Sequence, residues 1–166
     1  MEKYKTLQEA VTIRGTLRYQ GKNVVLTNGC FDLLHGGHIH LFKQAKKLGD
    51  SLIAAVNDDS SIQRLKGPNR PVFPLEERLE VLEAVKYIDY LISFSQDTPK
   101  ELIAAILPDV LVKGGDWAPD EVVGREEVEY AGGRVIIIPY RSGYSSTDII
   151  KKIRSLKESV IGFTIQ

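Results

Sequence analysis

Five short apolar runs rich in β-branched residues, separated by segments of helical periodicity, constrain this chain more than any other feature. The runs are VVLT from Val24, LIAAV from Leu52, YLISF from Tyr90, VLVK from Val110 and RVIIIP from Arg134. Each reads as a strand buried on both faces. Ile39, Phe42, Ala45 and Leu48 repeat at helical spacing, with Gly49 as a stop. Leu75, Leu79, Leu82 and Val85 mark the next helix, and Thr98, Pro99 and Glu101 form a capping box for one running to about Leu107. Asp120 to Ala131 gives another, and the last, from about Ser146, should bury Ile149, Ile150, Ile153 and Leu156. A weaker amphipathic helix (Leu7, Ala10, Val11, Leu17) occupies the first twenty residues.

Strands that alternate with helices call for parallel pairing and right-handed crossovers. The expectation is a Rossmann-like, doubly wound α/β domain with a five-stranded parallel sheet. A chain of 166 residues, 43% hydrophobic, fills one core, so a single domain is expected over 1–166: a helix over 1–20, a catalytic core over 21–155 and a tail over 156–166.

In such folds ligands bind outside the carboxyl ends of the strands, so the loops after strands are where chemistry is sought. The first, NGCFDLLHGGH from Asn28, holds His35 and His38, and His40, the remaining histidine of the chain, follows two residues later. Gly36 and Gly37 permit close approach of a ligand before a helix that starts near His38, and a helix N-terminus is an anion site. His35 and His38, three residues apart, can point donors at one bound anion; the plainer reading is a cap and a packed ring. Zinc on His35, His38, His40 and Asp32 is disfavoured, because His38 and His40 diverge by about 200° once the helix begins. The G-x-G-x-x-G turn of dinucleotide folds and the P-loop pattern are both absent.

Lys66 and Arg70 lie in a long proline-punctuated loop and suit phosphate oxygens, or else a solvated surface. Asp58 or Asp59 fits a ribose or a turn cap. In KGGDW, Lys113 closes strand four, Gly114 and Gly115 allow backbone approach, and Asp116 anchors the loop or an acceptor; Trp117 has packing as its default role. Ser145, Ser146 and Thr147 open the last helix, where a plain cap needs one hydroxyl. Two helix N-termini with donors, two histidines and a loop lysine describe a polyphosphate cradle.

The balance of 22 basic and 22 acidic residues gives no overall field toward nucleic acid or membrane. A single cysteine, Cys30, excludes an intrachain disulfide, and the charged start MEKYKTLQEA lacks the apolar core of a secretory signal, so a cytoplasmic protein is expected. Cys30 has no histidine–acid relay around it in the sequence, which argues against a nucleophile.

GCFDLLHGGH resembles the H-x-G-H signature of the nucleotidyltransferase superfamily that includes the cytidylyltransferases, and GYSST its second motif, G-I-S-T-T. More narrowly, RLKGPNRPVFPLEER, LPDVLVKGGDW and SSTDIIKKI resemble the adenylyltransferase domain of the ADP-heptose synthases, over roughly residues 20–155. Tyr140 stands where cytidylyltransferases usually carry an arginine, with Arg141 one place later, and Ser146 replaces the middle threonine of S-T-T.

The resemblance implies His35, His38 and Lys66 as catalytic residues. It implies nucleotide contacts from Thr27, Asn28, Gly29, Cys30, Phe31, Gly37, Lys113, Gly114, Ser145, Ser146 and Thr147. Acceptor contacts fall to Asp32, Asn57, Asp58, Arg70, Gly115 and Asp116. The implied substrates are ATP and a sugar 1-phosphate, with Mg²⁺ carried on the ATP phosphates and no protein-held metal. The implied assembly is a homodimer, with the kinase that makes the sugar phosphate on a separate chain. CTP with glycerol 3-phosphate is the rival reaction, and a nucleotide-sensing module without turnover is the rival of another class.

Overall fold

A computed structural model describes residues 1–115, 117–139 and 146–160. Its strands are β1 (Val24–Gly29), β2 (Ser51–Asn57), β3 (Tyr90–Phe94), β4 (Val110–Gly114) and β5 (Arg134–Ile138). They form one sheet, in the order β3-β2-β1-β4-β5, with every pairing parallel. The helices are α1 (Leu7–Tyr19), α2 (Gly36–Lys46), α3 (Asp59–Lys66), α4 (Leu75–Glu83), α5 (Lys100–Ile106), α6 (Arg125–Tyr130) and α7 (Ser146–Val160). The expected α/β architecture is present. Its order reverses between β1 and β4, so the carboxyl end of β1 opens onto the crevice where such folds bind ligands.

Strand alternation divides the core into two layers. Val25, Leu52, Ala54, Val56 and Val112 meet Phe42, Ala45, Leu79 and Leu82 of α2 and α4 on one face. Leu26, Ile53, Ala55 and Leu111 meet Ala10, Ile103 and Val128 of α1, α5 and α6 on the other. Arg14 of α1 donates to the Leu107 carbonyl and to Asp109, whose second oxygen accepts from the Val24 amide, so α1 is tied to the start of the sheet.

Several expectations are corrected. Burial on both faces holds for the central strands, but β5 buries only Ile138, because an edge strand has a neighbour on one side only. The long second loop contains α3, capped by Asp58, a short polar helix with too few apolar residues to show a repeat. The helix after β3 starts at Lys100 with Pro99 at its cap, and Thr98 plays no capping part. The helix expected over 120–131 is broken: a 3₁₀ turn over Pro119–Glu121 precedes α6. Between them Gly124 has φ +88°, and a Cβ there would lie 2.6 Å from the Ile103 side chain, so only glycine fits. On α7, Ile149 and Ile150 are half-buried while Ile153 and Leu156 are more than half exposed, against the burial expected. The same helix runs through to Val160, with no break at the 155/156 boundary.

Candidate active site

The loop after β1 builds the centre of the site. A ring atom of Phe31 lies 3.0 Å from where a Cβ of Gly29 would be, so the glycine lets that ring fold back under the loop. Phe31 takes a left-handed φ of +45° to do so, and its ring meets His38 edge-on at 5.5 Å and Phe42 at 5.0 Å. His35 caps α2 with its side chain: Nδ1 accepts from the Gly37 amide at 3.1 Å. His38 reaches back one turn, and its Nδ1 accepts from the His35 amide at 3.3 Å. The two rings stack, 3.9 Å between centroids.

These hydrogen bonds fix the tautomers. A neutral imidazole that accepts at Nδ1 carries its proton on Nε2. Burial, and secondarily the charges of His35 and Lys66, push His38 down to about 4 from an ordinary 6.5; burial also lowers His35. Both rings are therefore neutral near pH 7, each with its proton on Nε2, the nitrogen that the backbone cap does not use. Because the folded value of His38 lies below the unfolded one, the unfolded chain binds more protons between pH 6.5 and 4. Its contribution to stability is complete above pH 6.5 and is lost as pH falls through that window. Imidazole NMR of the free protein should accordingly show an Nε2–H tautomer for His38 that does not titrate above pH 5; a midpoint near 6.5 would refute the assignment.

A cavity of about 460 Å³ opens over this loop, within the size range of small-molecule sites. Of the residues anticipated from sequence, Asn28, Gly29, Cys30, Phe31, Asp32, His38, Asn57, Lys66, Arg70, Lys113, Gly114 and Ser146 line it. Lys66 comes from the last turn of α3, not from a structureless loop. Lys113 is largely buried, with Nζ 3.4 Å from Asn28 Oδ1; burial lowers its pKa, and Cys30 partly offsets that. The start of α7 is brought to the same place by Ser146, whose hydroxyl donates to the Leu33 carbonyl at 3.3 Å.

Other anticipated residues are not among those that line the cavity, His35 included, whose ring stacks on that of His38. Thr27 is fully buried beneath the loop. Asp58 spends its carboxylate on the α3 cap, accepting from the Ser61 amide and the Ser60 hydroxyl. Gly115 is buried and donates its amide to Ile138. Thr147 is exposed on α7, and the Gly37 amide is occupied by His35. Asp116, Ser145, Tyr140 and Arg141 lie outside the described residues.

Asp32 and Arg70 are spent largely on each other. Asp32, 3% exposed, accepts from Arg70 Nε at 2.7 Å, from the Val72 amide at 2.9 Å and from the Phe73 amide at 3.0 Å. Burial would raise its pKa, but the two amides and the guanidinium outweigh that and hold it below the usual carboxylate range. The pair thus fastens the α3–α4 connection over the β1 loop.

Sequence reasoning missed Arg78. It is 2% exposed on α4 and donates to the carbonyls of Phe73, Cys30 and Asn57 and to Asp59. The signal was present: 75, 78, 79 and 82 lie on one helical face, so an arginine stands in an apolar stripe. Trp117, expected to pack, is 45% exposed and lines the cavity with Val122 and Val123, its ring 5.5 Å from Lys113 Nζ. Asp97 also lines the cavity, as do Thr98 and Pro99, which the sequence offered only as helix-capping residues. Cys30 lines the cavity as a free thiol, and the sequence places no histidine–acid relay around it. Cys30→Ser is therefore expected to retain turnover within a few-fold; complete inactivity of a folded variant would restore the nucleophile reading.

A family model described as cytidylyltransferase-like matches residues 26–152. The chain belongs to that family. The bifunctional protein HldE of Salmonella paratyphi A is 52% identical over 152 residues, covering 92% of this chain and 31% of HldE. HldE of Salmonella arizonae matches to the same extent. The chain thus spans about a third of the length of the curated relatives it matches. Among solved structures, a lipopolysaccharide core biosynthesis protein from Thermoplasma volcanium aligns at TM-score 0.60 and 33% identity, over 75% of this chain and all of that one. Pantoate-beta-alanine ligase from Francisella tularensis, at TM-score 0.58 and 16% identity over 91% of this chain and 76% of that one, shares the fold. No helix among the described residues is long and apolar enough to cross a membrane.

Proposed function

We propose that the chain transfers the adenylyl group of ATP to D-glycero-D-manno-heptose 1-phosphate, forming ADP-heptose and releasing pyrophosphate. The observation that carries this reading is the neutral His38, its proton on Nε2, lining a strand-end cavity with Lys66 while His35 stacks against its ring. The 52% identity to HldE supports the choice of nucleotide and acceptor.

An oxygen of the sugar phosphate forms a bond to the α-phosphorus as the bond to the bridging oxygen of pyrophosphate breaks. The attacking phosphate is already anionic near pH 7, so no general base is needed, and the difficulty is the crowding of negative charge. Donors placed where that charge develops are the main source of acceleration. His35 and His38 donate to the α-phosphate from Nε2 without having to be protonated first, and Lys66 neutralises the leaving phosphates. Ser146 and the amides at the start of α7 contact the nucleotide phosphates. Asp32 and Arg70 act indirectly, by holding the α3–α4 connection in place.

Among the described residues no three His, Cys, Asp or Glu side chains converge as metal ligands. Mg²⁺ would enter on the ATP phosphates, as it commonly does, and supply charge neutralisation there. The sugar phosphate requires a kinase activity, on another domain or another chain, and both substrates place the reaction in the cytoplasm.

The test is pyrophosphate release with Mg²⁺, ATP and the heptose 1-phosphate, run beside CTP with glycerol 3-phosphate. Release in the first reaction alone is expected. Turnover only in the second would keep the histidine chemistry and overturn both the nucleotide and the acceptor.

A further inference from the structure

The cavity extends beyond the phosphate-facing residues into a corner to which the reaction above assigns nothing. Asp97, Thr98 and Pro99 of the β3–α5 connection line it, as does Asn57 at the end of β2. Asp97 is held in place from α3: Arg64 Nε donates to its Oδ1 at 2.6 Å, and the same guanidinium also donates to the Ser95 carbonyl. Its side chain nevertheless stays 57% exposed. Thr98, which does not cap α5, is exposed on the same wall.

The cavity lining is of two kinds. Beyond β4 stand Trp117, Val122 and Val123, with the Glu121 carboxylate among them, and the aromatic face of Trp117 suits a planar base. At Asp97, Thr98 and Asn57 the lining is a carboxylate, a hydroxyl and an amide, which suit a polyol. β3 is two strands from β1, roughly 10 Å at ordinary strand spacing, a span comparable to that from a sugar's phosphate to its far exocyclic carbons.

We infer that Asp97, with Thr98 beside it, is the sugar-selecting contact of the acceptor, taking hydrogen bonds from hydroxyls at the end remote from the phosphate. This rests on the sugar 1-phosphate reading above and adds which wall of the cavity reads the sugar. The Arg64 ion pair orients the carboxylate and leaves its second oxygen for the ligand.

Asp97→Ala and Asp97→Asn are to be assayed with the heptose 1-phosphate and with mannose 1-phosphate, which lacks the seventh carbon and its hydroxyl. The expected result is a loss of about tenfold or more in kcat/KM for the heptose substrate and a much smaller loss for the mannose one. The preference between the two then collapses, while KM for ATP stays within about twofold. The asparagine variant keeps an acceptor for Arg64, so it tests the charge if the alanine variant folds poorly. Equal losses on both acceptors, or a parallel rise in KM for ATP, would overturn the assignment. A wild-type protein that binds ATP but turns over neither sugar phosphate overturns the proposed reaction, and this contact with it. An active wild type whose preference survives in both variants overturns the contact alone.

Discussion

Replacing His38 with alanine is expected to leave the fold intact and to lower turnover by roughly 10²–10³, the usual cost of removing one donor aimed at developing charge. The imidazole accepts one backbone amide and meets Phe31 edge-on, so its loss should cost only about 1 kcal/mol of stability. What disappears is an Nε2–H held ready by that backbone bond. Because His38 is neutral when free, its pKa lowered to about 4, it acts as a dipole already in position and not as a stored cation. His38→Asn, which keeps a donor but shortens its reach, should recover part of the loss. Single-turnover kinetics with saturating ATP separates chemistry from binding. A folded His38→Ala enzyme with near-normal turnover would remove the histidine pair from the mechanism.

Arg78→Ala is expected to destabilise the protein by roughly 3–5 kcal/mol, because three carbonyls, one buried and two part-buried, lose their donor together and a fully buried side chain leaves a void. Asp59, more than a third exposed, can turn to water and adds little to that figure. The three carbonyls belong to the β1 loop, the end of β2 and the α3–α4 connection, so the loss should also loosen the cavity and raise KM for both substrates. Lysine cannot span them, since one ammonium lacks the planar fork of donors, and Arg78→Lys should recover less than half. Urea unfolding gives the measurement; a loss under 1 kcal/mol would show that the guanidinium is replaceable by water.

The histidine site was legible because its logic is local. His35 and His38 are three residues apart at a helix start, and that spacing alone lets both rings turn toward one point while capping the helix. The Asp32–Arg70 pair was not legible as a pair, since its members are 38 residues apart and each by itself looks like a free ligand group. Thr27 misled for the opposite reason: it adjoins the loop in sequence, yet the pleat turns its side chain into the core. Trp117 reads as a packing residue in any sequence, and only its 45% exposure at the cavity shows otherwise.

By itself the sequence determined the alternation of strand and helix, the parallel sheet that follows from it, and the loop in which the two histidines sit, because each depends on periodicity or spacing within about a dozen residues. The tertiary structure decided which charged side chains face the ligand and which are spent holding loops: Arg78 bridges to Cys30 across 48 positions, and Arg64 reaches Asp97 across 33. Those partners are chosen by strand order. The fold places β3 next to β2 and β1 next to β4, and with that it sets which strand-end loops come to line one cavity.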